Sequence, residues 1–337
     1  MEDYYEKYNW PKIGNEKAIS FLSNVLDNKN PASFYIFSGR GNLGKSTIAL
    51  AFAKNLQNLD KDDDLSDLKT PSFNSDLFLL ERGPEEKSIS IEAVREFIKS
   101  LSLGSFANSY KVGIIKEASY LSEDAKSALL KTLEEPKPKT LIILLVDDIN
   151  DLPATIISRA QVLYFQAVSS DLIYDYLIEN YGAGRSEARD LANLCLGRPL
   201  DAIAFFEDGE KYKNYLTKAE LWLNLCLEKD SAKRLKILDE LFKDKTWSKE
   251  ARESSENIIS LAESLARDLM LLSLEQGNLM QHLVLKDKLV VLRDSFFNKN
   301  EVVVKALNWL KLLAQAREYL NGSINPRLVL EQIVINY

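Results

Sequence analysis

The segment GRGNLGKS at 39–46 carries the spacing G-x-x-x-x-G-K-[ST] in Gly39, Gly44, Lys45 and Ser46. Glycines placed this way let successive backbone N–H groups converge on the oxygens of a phosphate chain, and Gly41 between them keeps the loop clear of a side chain. Lys45 adds a full positive charge where the start of a helix supplies a partial one. Ser46 offers a hydroxyl to Mg²⁺, and Thr47 follows it into the first helical turn. Gly39, Gly41, Gly44, Lys45, Ser46 and Thr47 are therefore the residues expected to hold ATP or ADP. The motif is informative only between a strand and a helix, and SFYIF (33–37) before it and STIALAFAKNL (46–56) after it provide that setting.

A loop that holds phosphates does not by itself hydrolyse them. Hydrolysis also needs a carboxylate to anchor magnesium and a group to polarise the attacking water. VGIIKEAS places Lys116 and Glu117 at the end of a predicted strand, where loops of this type usually have a metal-binding aspartate. A protonated amine has no lone pair for Mg²⁺, so the anchor is lost, while Glu117 retains a carboxylate of the kind a base requires. Other reactive side chains are few. The only histidine, His282, sits in LMQHLVLKDK with no nearby Cys, His or acid pattern, so a structural role is expected and no Ser-His-Asp or Cys-His hydrolase can be assembled. Cys195 and Cys226 are too few and too far apart for a disulfide framework and read as small buried residues. Trp222, Trp247 and Trp309 stand among aliphatic residues at helical spacing, as core or interface residues do. The charged stretches LDKDDDLSD (59–67) and EEPKPK (134–139) read as solvated loops.

The elements that must position these groups follow from apolar patterning. SFYIF (33–37), KVGII (111–115) and LIILLV (141–146) are short apolar runs typical of strands covered on both faces, which implies a parallel sheet. Helices are predicted at 46–56, 91–101 and 122–135, the last with Ser122 as N-cap and Ala125, Leu129 and Leu133 on one face. The α/β domain is expected to end near VLYF, at residue 165. Three short helices then fill 166–208, and 209–337 is amphipathic and nearly free of proline, the pattern of a helical bundle. At 337 residues, two or three domains are expected. A net charge of −7 argues against a surface that grips nucleic acid throughout. The start MEDYYEKYNW lacks a leader pattern and no run approaches eighteen apolar residues, so no membrane is entered and a cytoplasmic protein is expected.

The block 111–160 resembles the clamp-loader branch of the AAA+ proteins, and more narrowly its delta-prime family. SALLKTLEEP (127–136), LPATIISRA (152–160) and NPRLVLEQIVI (325–335) carry the resemblance, supported by IGNEKAISFL and GRPLDAIAFF. It implies an AAA+ α/β nucleotide-binding module at 1–165, a helical lid at 166–208 and an all-α collar at 209–337 that carries oligomer contacts. It also implies a hetero-oligomeric ring with gamma/tau motor and delta subunits, which loads the sliding clamp on primed DNA for DNA polymerase III. In such a ring Ser158 and Arg159 supply an arginine finger to a neighbour's ATP.

Against an active relative, Lys116 replaces the magnesium-binding aspartate, the sensor of the third strand falls on Val146 or Asp147, and the lid arginine aligns with Leu200, with Arg198 two residues upstream. The expectation is a chain that holds ATP or ADP without hydrolysing it, with magnesium left open. A hydrolysing AAA+ motor of the gamma/tau kind, or a related remodelling ATPase, is the alternative. The segment from 57 to 85 has no cysteine, which excludes the zinc knuckle of some relatives and so any zinc there.

Overall fold

Strands β1 (Phe34–Ser38), β3 (Lys111–Ile115) and β4 (Thr140–Val146) are buried at every position. They form the middle of a parallel sheet in a computed structural model that describes residues 5, 7–12, 14–57, 76–83, 86–102, 110–242, 248–296, 298–322 and 324–335. Strands β2 (Leu77–Leu80) and β5 (Gln161–Tyr164) complete the order β2-β3-β4-β1-β5 as its edges. Every pairing is parallel, with Phe34 opposite Ile142 and Ser38 opposite Val146 across the central pair.

Alternation along the strands divides the core in two. On one face Tyr35, Phe37, Ile143 and Leu145 pack against helices α1 (Glu16–Asp27) and α2 (Lys45–Gln57), which contribute Ile19, Leu22, Ile48 and Phe52. On the other, Ile36, Ile142 and Leu144 meet α3 (Ile91–Ser102) and α4 (Glu123–Glu134) through Val94, Phe97, Leu129 and Leu133. Truncating one of these to alanine typically costs ~2–5 kcal/mol. Gly113 in β3 is required by this packing, because a Cβ there would lie 2.5 Å from the Phe97 ring. Ser122 caps α4, its hydroxyl accepting from the Ala125 N–H at 3.2 Å, as the spacing predicts.

Strand β2 departs from expectation, since 57–85 carries no predicted element. Its partner contacts show why it forms: Leu77 to Leu80 pair in register with Val112 to Ile115, so tertiary pairing supports a run too short to show its own periodicity. Before it, buried Asp76 lies 3.8 Å from the buried ammonium of Lys111, which also donates to the Ser100 carbonyl at 3.1 Å.

Helices α5 (Ala154–Ile157), α6 (Ser170–Tyr181), α7 (Arg185–Leu194) and α8 (Pro199–Glu207) follow, the last three in the span predicted for short helices. Beyond them lie α9 (Gly209–Leu227), α10 (Ser231–Leu241), α11 (Lys249–Ser273), α12 (Lys286–Asp294), α13 (Lys299–Asn321) and α14 (Pro326–Ile335). The chain packs as two units, 1–176 with 197–201, and 177–196 with 202–337, so residues 166–208 are shared between them. In the second unit Trp222, Leu265, Leu269, Trp309 and Leu330 form one buried cluster, while Trp247 lies outside the described residues. Side chains of Asp208, Asp230, Ser248 and Asn298 each accept a backbone N–H at the start of a helix, which fixes where α9, α10, α11 and α13 begin.

One expectation is corrected here. His282 does have an acid partner: Nδ1 lies 2.8 Å from Asp268 Oδ2, and Nε2 lies 2.8 Å from the Tyr215 hydroxyl. Asp268, wholly buried on α11, also accepts the backbone N–H groups of Gln281 at 2.9 Å and His282 at 2.7 Å. A proton on Nδ1 satisfies both ring partners. The group ties the turn after α11 back onto that helix and onto α9, in keeping with the structural role expected for His282.

Candidate nucleotide site

The loop between β1 and α2 takes its shape from two glycines. Gly39 and Gly44 have φ of +152° and +90°, and a Cβ on Gly39 would come within 2.4 Å of the Phe165 carbonyl oxygen, so only glycine fits. Ser46 and Thr47 stand half-buried in the first turn of α2. Lys45 is 8% exposed and its ammonium faces three acceptors: the Gly39 carbonyl, the Arg40 carbonyl at 3.1 Å and Asp147 Oδ1 at 2.7 Å.

Asp147 is the first residue past β4, where the sequence leaves the sensor between it and Val146. Val146 is core, paired with Ser38, and its carbonyl accepts the Gly39 N–H at 3.2 Å. Asp147 is the residue that reaches the loop. Within the loop the Asn42 side-chain amide donates to Asp201 Oδ1 at 2.7 Å, and the Leu200 N–H lies 3.4 Å from the Asn42 carbonyl oxygen. Leu200 thus contributes backbone to this contact, and Arg198 makes an ion pair with Asp201 at 3.0 Å.

The strand ends beside the loop are paired as well. Lys116 lies 3.1 Å from Glu81, and Glu117 lies 3.1 Å from Arg82, whose guanidinium also covers the Tyr120 ring at 4.1 Å. Glu117 holds a left-handed backbone at φ +49°, which fixes its turn away from the regular strand. Glu81 and Arg82 directly follow β2, which forms by pairing with β3, so no local pattern marks them as partners of Lys116 and Glu117. At the far end of the domain, Arg159 donates to the Thr155 carbonyl at 2.7 Å and to Glu134 at 2.7 Å, with its side chain 36% exposed. The Ser158 hydroxyl stands 3.4 Å from the same guanidinium.

The family model described as DNA polymerase III, delta subunit matches residues 14–169. The delta-prime subunit of Bacillus subtilis (strain 168) is 27% identical over 334 residues, covering 95% of this chain and 94% of its own length. The chain is thus similar to a delta-prime clamp-loader subunit along nearly its whole length. The delta-prime subunit of Haemophilus influenzae (strain Rd) is 34% identical over 132 residues, 39% of this chain and 40% of its own length. The gamma/tau subunit of Mycoplasma genitalium is 30% identical over 247 residues, 66% of this chain, and the chain spans 40% of that relative's length.

In a delta-prime-like protein with an intact loop, the residues can be tested against a magnesium nucleotide. The backbone suits phosphate, but the charges do not. All three ammonium protons of Lys45 have acceptors, the anchor position is an amine held by Glu81, and the candidate base is held by Arg82. Among the described residues no group of three or more His, Cys, Asp or Glu side chains is placed to hold a metal ion, and no helix is long and apolar enough to cross a membrane.

Proposed function

We propose that this chain is a non-hydrolysing stator of a clamp-loader ring. It joins gamma/tau motor and delta subunits in a cytoplasmic hetero-oligomer, helps to load the sliding clamp on primed DNA during DNA replication, and lends Arg159, set by Ser158, to a neighbour's ATP. The observation that carries the reading is the pairing of both strand-end groups: Lys116 with Glu81 and Glu117 with Arg82. Phosphoryl transfer depends on positioned metal and charge, and neither group is disposed to supply them. ATP or ADP in the loop of Gly39, Gly41, Gly44, Lys45, Ser46 and Thr47 is not required for this role. The purified chain is expected to show no ATPase above background, alone or with primed DNA. Turnover of about one per second, ordinary for an enzyme, that disappears on Lys45→Ala would overturn the stator reading. Such turnover would favour the gamma/tau-like motor, which the similarity to the Mycoplasma genitalium protein keeps in view.

Assembly in this reading uses the all-α region. Val304 and Leu307 on α13, and Leu328 and Ile335 on α14, are exposed apolar side chains on helices whose other faces enter the core, as a bundle with a further partner face requires. Val304→Glu combined with Leu328→Glu should leave the chain folded, because both side chains are more than half exposed. Recovery of the motor and delta proteins with it should fall at least about tenfold, the change that 1.4 kcal/mol produces. Undiminished recovery in a pull-down would remove these helices from the interface.

A further inference from the structure

We propose that Asp147 is a built-in competitor for the phosphate loop, the residue that keeps this chain's affinity for nucleotide low. The proposal deepens the stator reading and rests on it in taking the loop at 39–46 as the family's nucleotide site. The first ground is the count of donors and acceptors at Lys45. An ammonium has three N–H bonds, and here Gly39 O, Arg40 O and Asp147 Oδ1 receive them. An arriving phosphate must therefore displace one acceptor, and Asp147 is the only one of the three that is not loop backbone.

The second ground is placement. Because β4 pairs with β1 up to Ser38 opposite Val146, residue 147 is delivered to the mouth of the loop by the register of the sheet. Its two carboxylate oxygens face different parts of that loop: Oδ1 meets Lys45 at 2.7 Å, and Oδ2 lies 3.9 Å from where a Cβ on Gly41 would stand. The carboxylate thus lies over the stretch through which phosphate oxygens would enter. A second carboxylate, Asp201, accepts from Asn42 of the same loop, and itself pairs with Arg198. A phosphate chain would meet a neutralised lysine with an anion beside it, and like charges at such short range oppose binding.

The third ground is that the competitor is displaceable. Lys45 is buried, but the Asp147 side chain is 72% exposed, so the pair adds little to folding while standing directly in the ligand's path. Asp147→Asn keeps the shape and removes the charge, so the amide oxygen that remains is a weaker rival for the ammonium than a phosphate oxygen is.

Isothermal titration of ADP without magnesium into the full chain tests this, because it reads the contact between phosphate and lysine apart from any metal or turnover. The variant Asp147→Asn should bind ADP at least about tenfold more tightly than the unaltered chain, and adding Lys45→Met should abolish the gain. Thermal melting of each variant confirms the fold. Equal affinities in the two chains, or no binding by either, would overturn the proposal. Hydrolysis by the unaltered chain would overturn the stator reading and not this one, since binding and turnover are measured separately.

Discussion

Arg159→Ala in an assembled clamp loader should lower DNA-stimulated ATP hydrolysis by about 10³-fold, the lower end of what an arginine finger supplies. The guanidinium is held within its own chain: one nitrogen is on the Thr155 carbonyl at 2.7 Å and the other on Glu134 at 2.7 Å, joining α5 to the end of α4. Its side chain remains partly open to solvent, so it can exchange the carboxylate of Glu134 for phosphate oxygens, which the same planar fork fits. An exposed pair of this kind contributes about 1 kcal/mol or less to folding, so the variant should fold and assemble. Arg159→Lys should recover little, because a single ammonium lacks the fork that spans two acceptors. The measurement is steady-state ATPase of the reconstituted complex with primed DNA, with assembly checked by gel filtration. An unchanged rate in an intact complex would mean that Arg159 serves only to join α5 to α4.

Asp268→Ala should destabilise the helical unit by about 3–5 kcal/mol, the range for removing one partner from a buried charged contact. The carboxylate receives two backbone N–H groups, from Gln281 and His282, and faces the His282 ring, all out of solvent. Removing it strands those donors together, and each unsatisfied buried donor is itself worth about 1–3 kcal/mol. Against a total stability of roughly 5–15 kcal/mol, such a loss is severe. Asp268→Asn should cost less, since its oxygen still accepts one of the bonds. Hydrogen exchange at the Gln281 and His282 amides gives the local readout: both should be protected in the unaltered chain and open in Asp268→Ala. A loss below about 1 kcal/mol, with protection kept, would show that water replaces the carboxylate.

The sequence makes the sheet's interior plain because β1, β3 and β4 are buried on both faces, and such strands are apolar over most of their length. Helices α2, α3 and α4 are equally legible, down to the Ser122 cap, while α1 is not among those the sequence predicts. Strand β2 is not, because LFLL is four residues long and holds its place by pairing with β3. That omission carries over to chemistry, since Glu81 and Arg82 are brought to Lys116 and Glu117 only once β2 lies beside β3. Opposite charges that meet through the sheet leave no spacing signal: Lys45 and Asp147 are 102 positions apart. The same holds on a smaller scale for His282, whose partner Asp268 is 14 residues back across a turn. Sequence indicates which groups are present in the candidate site, and the fold determines which of them neutralise one another.

The pairs at the strand ends also bear on how this chain relates to enzymes with the same loop. Lys116→Asp, the single change that restores a metal-binding side chain, would remove the ammonium that lies 3.1 Å from Glu81 and leave two carboxylates on neighbouring strand ends. Glu117 would still be held by Arg82 and Lys45 by Asp147. Restoring the metal-binding side chain alone therefore leaves the other two pairs in place, and substitutions at contacting residues are often non-additive. In the proposed stator reading, full hydrolytic activity is therefore expected only when several of these pairs change together, so that a few ordinary ion pairs set how far this chain stands from a motor.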